Sequence, residues 1–441
     1  MDDDDDETVA PKWRCLQLKS TRRHHRHEAV PARDGNNQKL EKVEQELAQI
    51  PSDATAELRS SNNESAAQES HMESPNHLLI MVNGIVGSAN DWKYTAVQFK
   101  LKQGDKVIVH CSSCNSATLT FHGVNIMGRR LADEVRDVVN RTPGLAKISF
   151  LAHSLGGLVA RYAISQLYVP VLSGKTEKDR EKFKTNEVDA VQRKGTLLGL
   201  QPINFITIAT PHLGSRGNKQ LPFLCGIVCL EKVAPRVAHL IIGKTGKHLF
   251  LADGSCNKLP LLQRMTTDCE EGLFISALQG FKHRVAYANI CNDHMVGWRT
   301  SSLRRKSEIH KVKKSKLVIP DVCAMNSEPE HLGLVQMKHV PLDPKYPHII
   351  NVEDVPSQLD ASTEFCLTSP VAELNEKHIV SKSIEEKLLV GLTQLKWKRV
   401  DVSFRGSCQR FFAHSTIQVK IYCLHSDGAD VIAHIIDNFE V

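Results

Sequence analysis

The segment ISFLAHSLGGLVARY, residues 148–162, constrains the fold of this chain more than any other stretch. It begins with a short apolar run typical of a strand, turns sharply at Ser154, and continues as a helix with apolar periodicity. In a strand-turn-helix context, a match to the G-x-S-x-G pattern indicates a strained turn that holds the serine hydroxyl above the edge of a sheet. The first small residue is Ala152 rather than glycine, and alanine still fits such a turn. We therefore predict that Ser154 is a nucleophile.

The chain around this segment alternates between short apolar strands and amphipathic helices. A continuous apolar run, typical of a strand buried on both faces, fills residues 78–82, and further short strands are predicted at 106–110, 205–209 and 284–289. A pattern with apolar residues at helical spacing fills residues 125–140. This order of elements predicts the α/β class, with a doubly wound and mostly parallel sheet.

The composition divides the 441 residues into segments of different character. Residues 1–72 combine an acidic start, a basic His-rich cluster and a Ser/Asn/Glu-rich tract, which predicts a disordered tail before a domain at 73–441. Within that domain, residues 215–265 are unusually apolar and predict either a helical lid over the site or two ordinary packing helices. Residues 301–377 are polar and predict a loop-rich insertion. The basic run at 304–316 indicates a solvated loop or a contact with anionic lipid.

Charge, hydropathy and cysteine usage narrow the class of protein. The formal net charge of +6 is too small to indicate a nucleic-acid partner. The chain has no apolar run of 18 or more residues and does not open with a signal-peptide pattern, which favours a cytoplasmic location. The twelve cysteines do not form the paired C-x-x-C motifs of a zinc site, so we expect no metal and no cofactor.

A nucleophilic serine needs a base, and the base needs an acid that orients it. In hydrolases built on a doubly wound sheet, the order along the chain is Ser, then Asp or Glu, then His. Asp293 follows the predicted strand that ends at Asn289 by four residues, so we assign it as the acid. Asp253 and Asp268 are the competing carboxylates, but they follow no clear strand.

The base is expected after the last predicted strand. His414 lies there and is favoured, with His434 as the alternative base and His425 as a further competitor. His434 lies in the middle of an apolar helical pattern, where a histidine is more often a core residue. His153 is the immediate neighbour of Ser154, and we expect its ring to point away from the hydroxyl.

Two backbone N–H groups are candidates for an oxyanion hole. One belongs to Leu155, directly after the nucleophile, and the other to Ile85, in the loop after the first predicted strand. The preceding Gly84 permits close approach of a substrate carbonyl, although Asn83–Gly84 is also a common turn sequence.

The chain resembles the lipase-like serine esterases of the α/β-hydrolase fold. The matching pieces span residues 77–439 and are LLIMVNGIVGSANDW, HGVNIMGRRLADEV, ISFLAHSLGGLVARY, FITIATPHLGSRG, YANICNDHMVGWRTSS and AHSTI. The ANDW and HMVGWRTS pieces give the chain a plant-like character. Members of the family often carry His-Gly where this chain has Asn83–Gly84, a change that leaves the backbone donor intact but puts a side-chain role at that position in doubt.

The resemblance implies hydrolysis of acylglycerol or phospholipid esters, no metal, and contact with membranes or lipid droplets. It places the family's serine, acid and histidine on Ser154, Asp293 and His414. The predicted function is therefore a serine hydrolase of lipid esters that acts through an acyl-serine intermediate. A lipid acyltransferase on the same three residues and a catalytically weak lipid-binding scaffold are the alternatives.

Overall fold

A seven-stranded sheet organises the computed structural model, which describes residues 76–170, 195–215, 234–305, 307–309, 341–356 and 384–441. The predicted tail at 1–72 lies outside these ranges. The strands of the described residues are β1 (His77–Val82), β2 (Val107–Cys111), β3 (Lys147–His153), β4 (Tyr168–Val169), β5 (Thr196–Leu197), β6 (Gln201–Ile208), β7 (His283–Asn289), β8 (Ile349–Val355) and β9 (Trp397–Val402).

Six strands of the large sheet run parallel, in the order β2-β1-β3-β6-β7-β9. The seventh strand, β8, pairs antiparallel with β9 and forms one edge. The short strands β4 and β5 form a separate antiparallel pair. Because the carboxyl ends of parallel strands meet at one edge of a sheet, the residues that follow β1, β3, β7 and β9 lie at the same edge.

Helices cover both faces of the sheet. Those of the described residues are α1 (Lys93–Gln103), α2 (Val124–Arg141), α3 (Leu155–Leu167), α4 (Ala234–Leu249), α5 (Leu261–Arg264), α6 (Phe274–Gly280), α7 (Trp298–Ser301), α8 (Ile384–Thr393), α9 (Ala413–Thr416), α10 (Tyr422–His425) and α11 (Ala429–Asp437). Short 3-10 turns add to them at Ala89–Trp92, Gly104–Lys106, Ala117–Phe121, Cys408–Phe412 and Ser426–Gly428. Within the described ranges, no helix combines the length and the apolar character needed to cross a membrane.

The central strand β1 shows why the sheet is covered on both sides. Its sequence HLLIMV is apolar after the first residue, and side chains of a strand point alternately to opposite faces. Leu78 and Ile80 pack into one core with helices α2 and α3, whereas Leu79 and Met81 pack into a second core with α1 and α11. This arrangement confirms the predicted doubly wound, mostly parallel sheet.

One described part of the predicted loop-rich insertion at 301–377 is a strand, β8, whereas residues 310–340 and 357–377 lie outside the described ranges. Only Ile349 and Ile350 of this strand are buried, and the polar residues after them are half-buried or exposed. An edge strand pairs on one side only and can keep such polar residues in contact with water. The strand therefore lacks the continuous apolar run by which the central strands were predicted.

The basic run is also corrected at its first residue, because Arg304 is not solvated. Its side chain is 2% exposed, and its Nη2 donates to Asp401 Oδ2 at 3.0 Å while Nη1 donates to Glu353 Oε2 at 2.6 Å. Asp401 is fully buried and also accepts a hydrogen bond from Trp298 Nε1 at 2.8 Å. Arg304 thus links α7 to the edge of the sheet, whereas residues 310–316 of the run lie outside the described ranges.

The predicted lid lies partly outside the described residues, since 216–233 are not described. The second half of α4 is held by polar contacts: Thr245 Oγ1 accepts from Gly123 N at 3.0 Å, and His248 Nδ1 accepts from Val124 N at 3.0 Å. These contacts fix that part of α4 to the start of α2. The lid role of the segment stays a prediction.

A buried histidine at the start of β1 makes the fold sensitive to acid. Ser149 Oγ accepts two hydrogen bonds from Asn204, one from its backbone nitrogen and one from its side-chain nitrogen. The hydroxyl proton of Ser149 is therefore free to be donated to His77 Nε2, which lies 2.8 Å from Oγ. His77 therefore acts as an acceptor and must be neutral. Burial, reinforced by the charge of Lys147, lowers the pKa of His77 to about 4.

We expect the free energy of unfolding to fall as the pH drops from about 6.5 towards 4. In this range His77 is protonated in the unfolded chain and neutral in the folded chain, so unfolding takes up one proton. The free energy of unfolding therefore falls by about 1.4 kcal/mol for each pH unit. The variant His77→Gln keeps a hydrogen-bonding group without titrating, and urea unfolding across this range should show a shallower slope. His294→Gln, the same change at an exposed side chain, is the control. An unchanged slope in His77→Gln would contradict the assignment.

Candidate active site

The turn after β3 holds Ser154 in a strained backbone conformation. Ser154 has φ 53° and ψ −126°, a region that non-glycine residues rarely adopt, and its backbone N donates to Ile208 O at 2.8 Å. The helix α3 begins at the next residue. A Cβ on Gly156 would lie 2.5 Å from the backbone oxygen of Val82, so only glycine lets α3 approach β1 this closely. The small residues of the motif thus serve the packing that forms the elbow.

The imidazole of His414 contacts both other members of the predicted triad. Its Nε2 lies 3.0 Å from Ser154 Oγ, and its Nδ1 lies 3.0 Å from Asp293 Oδ2. All three side chains are buried. The structure therefore brings together three residues that are separated by more than a hundred positions in the chain, as the order of elements predicts.

Three donors besides His414 hold Asp293 as a carboxylate. Asn289 Nδ2 donates to Oδ2 at 2.9 Å, and the backbone N–H groups of Met295 and Val296 donate to Oδ1 at 2.9 and 2.8 Å. Burial alone would raise the pKa of Asp293, but the charge of His414 and these hydrogen bonds outweigh it and hold the pKa below its ordinary value.

The charge on Asp293 determines which nitrogen of His414 carries the proton. A carboxylate only accepts hydrogen bonds, so Nδ1 of His414 donates to it. In the neutral ring the lone pair then lies on Nε2, which faces Ser154 Oγ. His414 is thus oriented to accept the hydroxyl proton of Ser154.

His153 supports the site through a hydrogen bond to the backbone of His414. Burial, together with the charge of His414, holds the pKa of His153 well below its usual range, so the ring is neutral. Its Nε2 donates to the backbone oxygen of His414 at 2.8 Å, and the two ring centroids lie 4.7 Å apart. The sequence predicted that this ring points away from Ser154, but it did not predict the contact that holds His414.

Asn289 is a second residue that the sequence analysis missed. It is the last residue of β7, and its Nδ2 donates both to Asp293 Oδ2 at 2.9 Å and to the backbone oxygen of Ala413 at 3.1 Å. It therefore joins the segment that carries the acid to the segment that carries the base. A polar side chain at the carboxyl end of a strand was the available signal.

The two predicted oxyanion donors, the N–H groups of Ile85 and Leu155, belong to turns beside Ser154. Leu155 is the first residue of α3, so its N–H has no acceptor within the helix. A Cβ on Gly84 would lie 3.0 Å from Ser154 Cβ, which shows how closely the loop after β1 approaches the elbow. The role of both donors stays a prediction.

The alternative base, His434, lies elsewhere in the structure. Its Nδ1 is 2.8 Å from the hydroxyl oxygen of Tyr287. His434 also lines a cavity of about 420 Å³ together with Arg284 and Lys398, which lie near the amino ends of β7 and β9. His434 thus contacts Tyr287 and lines this cavity, whereas the two ring nitrogens of His414 contact Ser154 and Asp293.

The other competing residues have structural contacts of their own. His425 Nδ1 lies 3.0 Å from the backbone of Ile421. Asp253 accepts a hydrogen bond from the first residue of α5, and Asp268 accepts hydrogen bonds from the first turn of α6. Among the described residues, no group of three or more His, Cys, Asp or Glu side chains is arranged to hold a metal ion.

Comparison with curated proteins finds relatives in yeasts. The Saccharomyces cerevisiae protein "Putative lipase YDL109C" is 29% identical over 236 residues, which cover 53% of this chain and 31% of that protein. "Putative lipase ROG1" of the same organism is 30% identical over 233 residues, which cover 52% of this chain and 28% of that protein. The chain thus spans less than a third of the length of these relatives. Because both come from a yeast, they do not support the predicted plant-like character of the chain.

Comparison with solved structures finds hydrolases of low similarity. The Bacillus licheniformis lipase BlEst2 in its mature form is 14% identical, covers 52% of this chain and 71% of that chain, and has a TM-score of 0.29. An extracellular alpha/beta-hydrolase from a Paenibacillus species is 12% identical, covers 46% of this chain and 62% of that chain, and has a TM-score of 0.21. Likenesses this weak add nothing to the sheet topology described above.

A family model also matches the chain. Residues 72–303 match the model described as "Putative serine esterase (DUF676)". The matched region makes up more than half of the chain and contains both Ser154 and Asp293. The chain therefore belongs to this putative serine esterase family.

Proposed function

We propose that this chain is a serine hydrolase that cleaves carboxylic esters of lipids through an acyl intermediate on Ser154. The observation that carries the proposal is the position of His414, whose two ring nitrogens contact Ser154 and Asp293 at 3.0 Å each. The names of the yeast relatives, which call them lipases, support a lipid ester as the substrate.

In the first step, Ser154 Oγ attacks the acyl carbon while His414 Nε2 takes the hydroxyl proton. The tetrahedral intermediate collapses, the bond to the leaving alcohol breaks, and His414 returns the proton to that alcohol. Asp293 stabilises the imidazolium that forms in between and holds its orientation. The acyl group is then bound as an ester to Ser154.

The second step repeats the first with water as the nucleophile. Water gives a proton to His414 Nε2 and its oxygen attacks the acyl carbon, after which the proton returns to Ser154 Oγ and the carboxylic acid leaves. In both steps the negative oxygen of the intermediate would be bound by the N–H groups of Ile85 and Leu155. Each preorganised donor of this kind contributes about 3 kcal/mol to lowering the barrier.

The assignment of the nucleophile predicts the behaviour of Ser154→Ala. A fluorophosphonate probe should label the parent chain and not this variant, because only the activated Ser154 hydroxyl attacks the phosphorus. Hydrolysis of acylglycerols, phospholipids and short p-nitrophenyl esters should fall to background in the same variant. Equal labelling of the parent and Ser154→Ala would exclude this residue as the nucleophile.

The assignment of the base predicts a difference between two histidine variants. His414→Ala should lower kcat by about 10⁴-fold or more, because Ser154 then has no proton acceptor. His434→Ala changes the competing histidine, which contacts the hydroxyl of Tyr287, and should keep kcat within a few-fold of the parent. Steady-state kinetics on a soluble p-nitrophenyl ester measures both. The proposal would be wrong if His434→Ala were the inactive variant.

The assignment of the acid predicts that Asp293→Asn lowers kcat by about 10³–10⁴-fold at neutral pH. The amide cannot stabilise the imidazolium, and its NH₂ group favours the wrong tautomer of His414. Asp253→Asn is the matched control, because an amide oxygen can still accept from the first residue of α5. The same kinetic assay applies, and comparable losses in the two variants would argue against a specific role of Asp293.

A further inference from the structure

The segment that carries His414 exposes large apolar side chains on both sides of the catalytic histidine. Phe411 and Phe412, directly before α9, are 60% and 63% exposed. Ile421, directly before α10, and Leu424, within α10, are 48% and 56% exposed. Contiguous exposed apolar side chains of this size are unusual on a soluble surface and indicate a binding partner.

These four side chains belong to one packed unit. The ring of Phe412 lies against His425 of α10, with the centroids 6.2 Å apart. Behind them, Ser407 donates to Asp427, and Gln409 Nε2 donates to Ser426 Oγ at 3.0 Å. The turn Cys408–Phe412 therefore packs against α10, so the exposed apolar side chains of the two elements lie on neighbouring parts of the surface.

The charge beside this surface is positive. Arg405 and Arg410 form no ion pair with any described residue, and the guanidinium of Arg410 lies 4.5 Å from the ring centroid of Phe411. The one acidic residue between Arg405 and Gly428 is Asp427, which already accepts the hydrogen bond from Ser407. Exposed aromatic side chains next to unpaired arginines match the boundary between headgroups and acyl chains of an anionic membrane.

We propose that the apolar surface formed by Phe411, Phe412, Ile421 and Leu424, with Arg405 and Arg410 beside it, docks on a phospholipid membrane that contains anionic headgroups. We call it the docking face. Its location links it to the reaction, because His414 follows Phe412 by two residues. Docking would bring the segment that carries His414 next to the lipid. The proposal rests on the proposed function, because it makes the membrane the source of the lipid ester substrate.

The test measures binding to vesicles without any turnover. The full chain carrying Ser154→Ala is floated with phosphatidylcholine vesicles, with and without added phosphatidylserine, so that hydrolysis neither consumes the lipid nor affects the result. This protein should float with both kinds of vesicle and bind more tightly to the anionic ones. Failure to float would overturn the docking face, whereas failure of the parent chain to hydrolyse any ester would overturn the proposed function.

Paired substitutions locate the binding. Phe411→Ser with Leu424→Ser changes one apolar residue on each side of α9 and should weaken partitioning into either vesicle at least ten-fold. Leu101→Ser with Val169→Ser is the matched control, because these side chains are 63% and 52% exposed but lie on α1 and β4. The control should float like the parent. Equal flotation of the two paired variants would overturn the proposal.

A charge variant keeps the test decisive if the apolar variant does not fold. Arg405→Gln with Arg410→Gln should weaken binding to anionic vesicles by about five-fold for each charge, with little change on neutral vesicles. An unchanged preference for anionic vesicles in this variant would contradict the proposal. Sedimentation of each variant identifies another occupant: a dimer of the parent that Phe411→Ser with Leu424→Ser converts to monomers would place a second copy on this face and overturn membrane docking.

Discussion

The site depends on how the backbone at residues 413–414 is held. Asn289 at the end of β7 donates to the oxygen of Ala413, and His153 at the end of β3 donates to the oxygen of His414. Each donor belongs to a strand that also leads into a reacting or orienting residue, Ser154 or Asp293. The sheet edge therefore fixes the imidazole through its own backbone, in addition to the two contacts that the ring makes with its partners.

The distribution of charge follows from the same arrangement. The two histidine rings lie 4.7 Å apart, so a proton on both would be unfavourable. Burial keeps His153 neutral, and the hydrogen bonds from Asn289 and the backbone keep Asp293 ionised. His414 thus lies between a neutral imidazole and a carboxylate, with its Nε2 facing Ser154 Oγ.

Much of this arrangement could be predicted from local patterns. The elbow at Ser154 is a property of a short segment, because a buried strand, a small-residue turn and a helix are all visible within fifteen residues. Parallel strands place their carboxyl ends at one edge, so Asp293 and His414 could be expected there from the order of elements alone. The apolar patterns of the central strands made it possible to predict the order of strands and helices along the chain.

The features that escaped prediction depend on contacts between distant segments. Asn289 and His153 are ordinary polar residues in the sequence, and their roles appear only when β3, β7 and α9 meet. Arg304 reads as part of a solvated basic run, yet it pairs with the buried Asp401, which lies almost a hundred positions away. The strand β8 was missed because an edge strand keeps polar residues, so its sequence pattern is weak even though it pairs with β9.

The segment from Cys408 to His425 shows how polar anchors can free an apolar surface. A four-residue helix such as α9 is not stable on its own and must be held by tertiary contacts. Here Asn289 and His153 donate hydrogen bonds to the backbone oxygens of Ala413 and His414. The hydrogen bond from Ser407 to Asp427 joins the residues on either side of the segment. Because these anchors do not involve Phe411, Ile421 or Leu424, burying those side chains is not required to position His414. Their apolar surface is consequently left available for a partner.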